Sequence, residues 1–191
     1  MTVSHSRLQR YTVTACFGAL AFVLMLFEFP VIPVVSYLKL DFSDLPVLLG
    51  TIMYGPITGI VITVIKLLLH GAMRGFSPVE FLGLFASFCS SVALLIPVAW
   101  FFRRGSHRSF KAAMWWSAVV GTLLLTVVMT LFNLYVLTPM YMKLFAWQPN
   151  LPIPELMAVG VLPFNLIKGT AVSAVFAFLA SRMKHLLHLA D

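Results

Sequence analysis

Long apolar stretches with few charges dominate this sequence. Four of them qualify as membrane spans, because a helix needs about 20 mainly apolar residues to cross the roughly 30 Å hydrocarbon core of a bilayer: 11–29, 79–102, 112–142 and 155–183. Only 10% of the residues are charged, against about 25% in a soluble domain. A transmembrane barrel would alternate polar and apolar residues, and these stretches do not. The chain is therefore predicted to be an all-α integral membrane protein.

A fifth apolar stretch, 45–69, is long enough for one helix, but Gly55-Pro56 predicts a turn in its middle. One helix here would give five crossings and would put the basic loop 103–111 opposite the basic N-terminus. Two helices give six crossings and bring the basic residues to one side: Arg7, Arg10, Arg103, Arg104, Arg108, Lys111, Arg182 and Lys184. Because Lys and Arg mark the cytoplasmic side, both termini are predicted to be cytoplasmic. Residues 1–191 then form one transmembrane domain with helices near 11–29, 44–54, 56–72, 79–102, 111–142 and 155–186.

Polar residues inside the spans are the candidates for a binding site. Lys168 lies several residues inside the last apolar stretch, where a charge is costly and usually faces the bundle interior. Asn165 is three residues earlier and shares its helix face. Asn133 is an amide within the fifth span, where it could bind ligand or hold helices together. An ammonium group with amides suits a ligand rich in hydroxyl or carbonyl groups, whereas a lysine near the interface could instead extend its head group to water.

Lys66 and His70 lie four residues apart in the third predicted helix. Lys66 could contact ligand or form a structural ion pair with Asp41 or Asp44. His70 alone, without Cys or carboxylate at ligand spacing, predicts no metal site. The chain also lacks a phosphate-binding glycine loop, H-E-x-x-H and G-x-S-x-G. The sequence therefore predicts no catalytic residue and no enzyme activity.

The first span contains Ala15 and Ala19, a spacing that lets helix backbones approach closely. This pair could serve packing within the chain or docking onto another membrane subunit.

Several segments together resemble a known family. They are YLKLDFSDLP at 37–46, YGPITGIVITVIK at 54–66, FNLYVLTPMY at 132–141 and LPFNLIKG at 162–169. Their order and spacing are similar to those of the S components of energy-coupling-factor (ECF) vitamin transporters, in particular the riboflavin-binding RibU type. The resemblance covers nearly the whole chain.

This resemblance implies a six-helix S-component fold in a bacterial cell membrane, with riboflavin, or FMN or a related flavin, as transported ligand and no cofactor. It implies partnership with a transmembrane coupling subunit and two cytoplasmic ATPase subunits. It assigns substrate contacts to Leu40, Asp41, Phe42, Asn133, Asn165 and Lys168, to which the buried-charge argument adds Lys66. Ala15 and Ala19 match the family's docking motif for the coupling subunit.

Three alternatives remain open at this point. Pocket differences could make the chain an S component for another vitamin or precursor. A small intramembrane enzyme could use Lys66, His70 and Asp41. In a pure assembly subunit, the polar residues would only hold helices together.

Overall fold

The computed structural model describes residues 7–103, 109–145 and 151–183. Helix α1 (Arg7–Leu26) leads into a two-stranded antiparallel hairpin of β1 (Phe29–Pro30) and β2 (Lys39–Leu40), with a short 3₁₀ turn at Pro33–Val35 between them. The remaining helices are α2 (Asp44–Tyr54), α3 (Pro56–Arg74), α4 (Pro78–Arg103), α5 (Phe110–Phe132), α6 (Thr138–Phe145), α7 (Ile153–Leu156) and α8 (Leu162–Arg182). The π-helical turn Asn133–Leu137 joins α5 to α6, and the π-helical turn Met157–Val161 joins α7 to α8.

Five helical rods in the described residues are long and apolar enough to cross a membrane: Arg7–Leu26, Pro56–Arg74, Pro78–Phe102, Phe110–Lys143 and Ile153–Arg182. The all-α membrane class predicted from the sequence is confirmed. Helix α2 has only 11 residues, which gives about 16 Å at 1.5 Å per residue. The six-crossing topology therefore stays a prediction. Arg104, Arg108 and Lys184, which contributed to the orientation argument, lie outside the described residues.

The predicted break at Gly55-Pro56 is present. Gly55 adopts φ +102° between α2 and α3, a backbone conformation that glycine adopts without steric cost. The Arg10 guanidinium donates two hydrogen bonds to Thr58 Oγ1, at 3.1 and 2.9 Å. These bonds fix the turn beside the start of α1. We call this end of the bundle the basic end; it contains the start of α1, the start of α5 and the end of α8.

Polar groups in this bundle lie inside and many large apolar groups lie outside. Asp44, Lys66 and Asn133 are at most 1% exposed, whereas Trp115 and Phe178 are at least 60% exposed. Close helix contacts make this interior possible: a Cβ on Gly18 would lie 2.5 Å from Ile65 Cγ2. An apolar exterior suits lipid as solvent, and the polar interior can line a cavity.

Candidate functional site

A cavity of about 310 Å³ lies at the end of the bundle opposite the basic end. The β1–β2 hairpin, the segment that leads into α2, and helices α3, α4, α6 and α8 contribute to its wall. Its charged and amide side chains are Glu28, Lys39, Asp41, His70, Arg74, Glu80, Asn165 and Lys168. Such a volume is at the low end of the range for small-molecule pockets, about 300 to 1,000 Å³.

Asp41 and Lys168 face one another across the inner wall of the cavity. Lys168 Nζ lies 3.4 Å from Asp41 Oδ2 and 3.9 Å from Asp44 Oδ2, so two carboxylates share one ammonium group. Asp41 Oδ1 also accepts a 2.8 Å hydrogen bond from the Ser43 N–H. Burial raises the pKa of the Asp41 carboxyl, but Lys168, Lys66 and the Ser43 hydrogen bonds outweigh it and hold the pKa at about 2. Asp41, in the loop before α2, is therefore ionised at neutral pH.

Asn165 lines the cavity three residues before Lys168, as the sequence predicted for a shared helix face. Its Nδ2 donates a 2.8 Å hydrogen bond to the Val161 carbonyl at the end of the second π-helical turn. Asn133 opens the first π-helical turn and donates from Nδ2 to the Met129 carbonyl at 2.7 Å. Single π turns within α-helices occur often at functional sites, because they redirect side chains and free backbone groups.

Lys66 sits behind the cavity and not in its lining. The side chain is fully buried, and its ammonium group lies 2.7 Å from Asp44 Oδ1, 2.8 Å from Ser43 Oγ and 3.0 Å from Ser91 Oγ. Ser91 in turn donates to Asp44 Oδ1 at 2.5 Å. Of the two acids left open as its partner, Asp44 is therefore the one in contact. The three short contacts compensate the burial of both charges.

Side chains at the outer rim of the cavity form close polar contacts that the sequence did not indicate. Glu28 Oε1 lies 2.6 Å from Lys39 Nζ and 3.1 Å from Arg74 Nη2, so one carboxylate links the hairpin to the end of α3. His70 Nδ1 lies 2.8 Å from Glu80 Oε1. The only available signal was the scarcity of acids, since the chain has six. In a protein with so few acidic residues, each one is a candidate for a functional or structural ion pair.

Two tyrosines also line the cavity, one from the hairpin loop and one from α6. The rings of Tyr37 and Tyr141 pack with centroids 5.6 Å apart, tilted by 51°. Burial raises the pKa of the Tyr37 phenol, and this effect exceeds the lowering by the nearby Thr138 side chain. Together they form a neutral aromatic surface at the pocket, which suits the face of a planar ligand.

The structure brings together some of the predicted contact residues and not others. Asp41, Asn165 and Lys168 line the cavity. The remaining four lie outside its lining: Leu40, Phe42, Lys66 and Asn133. Leu40 is buried in an apolar cluster with Phe164, which does line the cavity. Asn133 is fully buried, and its Oδ1 has no hydrogen-bond partner among the described residues. These four assignments stay predictions.

Ala15 and Ala19 lie on the outer surface of α1, and both are exposed. This helix buries only Thr14, Gly18, Ala21 and Met25 against the rest of the bundle. The alanine face is therefore not used for packing within the described chain.

A helical membrane bundle with a polar, aromatic-walled cavity at one end belongs to the class of membrane proteins that bind small solutes. Among the described residues, no group of three His, Cys, Asp or Glu side chains is placed to hold a metal ion. The model of the family "ECF transporter, substrate-specific component" matches residues 9–180. The chain belongs to this family.

Characterised relatives agree with this membership. The chain is 31% identical over 181 residues to the riboflavin transporter FmnP of Bacillus subtilis (strain 168), covering 93% of each protein. It is 33% identical over 182 residues to the riboflavin transporter RibU of Staphylococcus aureus (strain TCH60), covering 94% of this chain and 92% of the relative. A solved S component of a bacterial ECF transporter superposes with a TM-score of 0.78 at 31% identity, over 95% of this chain and 99% of that one. The chain is thus a multi-pass protein of the bacterial plasma membrane.

Proposed function

We propose that this chain is the riboflavin-binding S component of an ECF transporter, which captures the vitamin outside the cell for ATP-driven uptake. In this proposal the bundle crosses the membrane six times, both termini are cytoplasmic, and the cavity faces outward. The chain acts as a binding subunit and not as an enzyme. The names of its relatives support the ligand, and the basic end supports the orientation, because Lys and Arg mark the cytoplasmic side.

The single observation that carries the proposal is the Asp41–Lys168–Asn165 group on the cavity wall. Riboflavin has a planar isoalloxazine ring with carbonyl and imino groups at one edge, and a ribityl chain with hydroxyl groups. Lys168 can donate to carbonyl or hydroxyl oxygen, and Asn165 can donate and accept. Asp41, ionised, can accept from hydroxyl groups. The Tyr37–Tyr141 pair offers an aromatic wall for the ring.

The predicted contacts outside the lining fit this proposal as supporting residues. Leu40 and Phe42 flank Asp41 in the chain and would hold it against the pocket. Lys66 would act through Asp44, which lies 3.9 Å from Lys168. Asn133 has an unpaired buried oxygen, which a ligand could reach only if the π-helical turn adjusts.

Partners follow from the family. We propose a transmembrane coupling subunit docked on the exposed Ala15 and Ala19 face of α1, with two ATPase subunits on the cytoplasmic side. Small residues at such a spacing permit close helix packing in a membrane.

Fluorescence quenching of riboflavin by the detergent-purified protein tests the ligand and the site. Wild type should quench stoichiometrically. Asn165→Ala and Lys168→Ala should each weaken affinity about tenfold or more, because an unmade buried hydrogen bond costs about 1–3 kcal/mol. Lys143→Ala removes an exposed cation outside the lining and should leave affinity unchanged. Wild type that ignores riboflavin would refute the ligand, whereas unchanged affinity in both site variants would refute the site.

A further inference from the structure

A second concave surface lies on the outside of the bundle, between α5 and α8. It is a groove of about 550 Å³. The two helices approach closely at Gly169, where a Cβ would lie 2.9 Å from Thr122 Cγ2. From there toward the basic end the groove is lined by the small residues Ala118, Ala174 and Ala177. The larger Met114 and Trp115 line it nearer Lys111. The proposed function makes no use of this groove.

The groove has the length and level of one membrane leaflet. Its α5 wall runs from Lys111 to Leu123, a rise of about 18 Å at 1.5 Å per residue. Half of a bilayer's hydrocarbon core is about 15 Å. Trp115 and Trp116, close to Lys111 in α5, are 67% and 45% exposed, and exposed tryptophans of membrane proteins gather at the interface. Lys111 is therefore at headgroup level, and the rest of the groove faces acyl chains.

Charge at this end of the bundle is unbalanced. Four acids of the described chain, Glu28, Asp41, Asp44 and Glu80, are engaged at or behind the cavity at the other end. Within residues 7–103, 109–145 and 151–183, no carboxylate oxygen lies within 4.0 Å of Lys111 Nζ. The described protein therefore supplies no counter-charge to the cation at the mouth of the groove.

From this geometry we infer that the α5–α8 groove binds an anionic phospholipid. Its phosphate pairs with the Lys111 ammonium group, and one acyl chain lies along the small residues of the groove. Charge complementarity selects an anionic headgroup over a zwitterionic one, and the apolar, leaflet-deep walls select a lipid over a free phosphate. This site is independent of the flavin cavity.

Native mass spectrometry of the detergent-purified protein, titrated with phosphatidylglycerol or phosphatidylcholine, tests the inference. Wild type should retain one phosphatidylglycerol in preference to phosphatidylcholine. Lys111→Ala should weaken phosphatidylglycerol binding about fivefold, the usual contribution of one cation near a membrane surface. Lys143→Ala, which removes an exposed cation from α6, is the matched control and should bind as wild type does. Equal retention of the two lipids by wild type, or full retention by Lys111→Ala, would overturn the proposal.

Filling the groove separates a lipid from a protein occupant. Ala174→Phe should reduce lipid retention while the variant still elutes as a monodisperse species with an unchanged melting temperature. If lipid retention were unchanged but assembly with the coupling subunit were lost, the groove would be a protein interface and the lipid assignment would be wrong. Neither readout depends on riboflavin, so these outcomes are separate from those of the flavin titration.

Discussion

The buried Lys66–Asp44 pair makes a sharp prediction about what holds the bundle together. Lys66→Met keeps the length and the apolar stem of the side chain but removes its charge. The change deletes three contacts of 2.7–3.0 Å made by the ammonium group. Asp44 is then left with the Ser91 hydroxyl and, at 3.9 Å, with Lys168.

The expected loss of folding stability in Lys66→Met is large, because Lys66 and Asp44 are both at most 1% exposed. Removing one member of a buried ion pair costs about 3–5 kcal/mol, mostly because the remaining charge is uncompensated. For a chain of this size each kcal/mol shifts the melting temperature by about 2–4 °C, so a fall on the order of 10 °C is expected. Asp44→Asn combined with Lys66→Met removes both charges and should recover most of that fall.

Thermal unfolding of the detergent-purified variants, followed by tryptophan fluorescence, measures this effect. Lys143→Met is the control, since that cation is exposed. A melting temperature of Lys66→Met within 2 °C of wild type would refute the reasoning. Riboflavin titration well below the melting point then separates the two roles of Lys66. An unaltered melting temperature with lost affinity would make it a ligand contact, and the reverse would make it a framework residue.

Three further predictions concern the loop, the rim and the docking face. The pKa of Asp41 is lowered to about 2, so ionised Asp41 stabilises the folded protein by about 2 kcal/mol. This contribution is present above the pKa of the unfolded chain, near 4, and is lost as pH falls through about 2. The difference in melting temperature between wild type and Asp41→Asn should therefore be constant from pH 7 to 5 and shrink at pH 3. Glu28→Gln frees the two rim cations and should raise FMN affinity relative to riboflavin in paired titrations, whereas an unchanged ratio would show that they do not meet the phosphate. Ala15→Leu with Ala19→Leu should abolish co-purification of the coupling subunit without changing flavin affinity; intact complexes would exclude this face as the interface.

Helix positions in this chain were predictable because lipid imposes a strong rule on the sequence. Apolar stretches must be helical when no water can satisfy the backbone, and Gly55-Pro56 predicts a turn by local chemistry alone. In the structure α2 spans Asp44–Tyr54 and α3 spans Pro56–Arg74, beside the predicted 44–54 and 56–72. Helix α1 spans Arg7–Leu26, beside the predicted 11–29. The buried position of Asn165 and Lys168 was also predictable, because a polar group inside a span is costly unless it faces an interior.

Contacts between distant segments were not predictable in the same way. The sequence left Asp41 and Asp44 open as partners of Lys66, because they are only three positions apart and either could approach it. Glu28 and Arg74 are 46 positions apart, and nothing in the local pattern near either residue indicates the other. The two π-helical turns shift the phase of the side chains that follow by one residue. A helical wheel drawn through Asn133 or Val161 therefore misplaces faces that a regular α-helix would present.

The two buried lysine–aspartate pairs, Lys66–Asp44 and Lys168–Asp41, differ in how readily a ligand could separate them. Lys66 and Asp44 are 2.7 Å apart and have two serine hydroxyls around them, whereas Lys168 and Asp41 are 3.4 Å apart at the cavity wall. Because charge-assisted hydrogen bonds are strongest at about 2.7–2.9 Å, the second pair has less to lose when a ligand inserts its own polar atoms. Asp44 also lies 3.9 Å from Lys168, so that lysine keeps a compensating carboxylate when Asp41 turns toward the ligand. The Lys66–Asp44 pair can thus hold the bundle together while the Lys168–Asp41 pair adapts to the ligand.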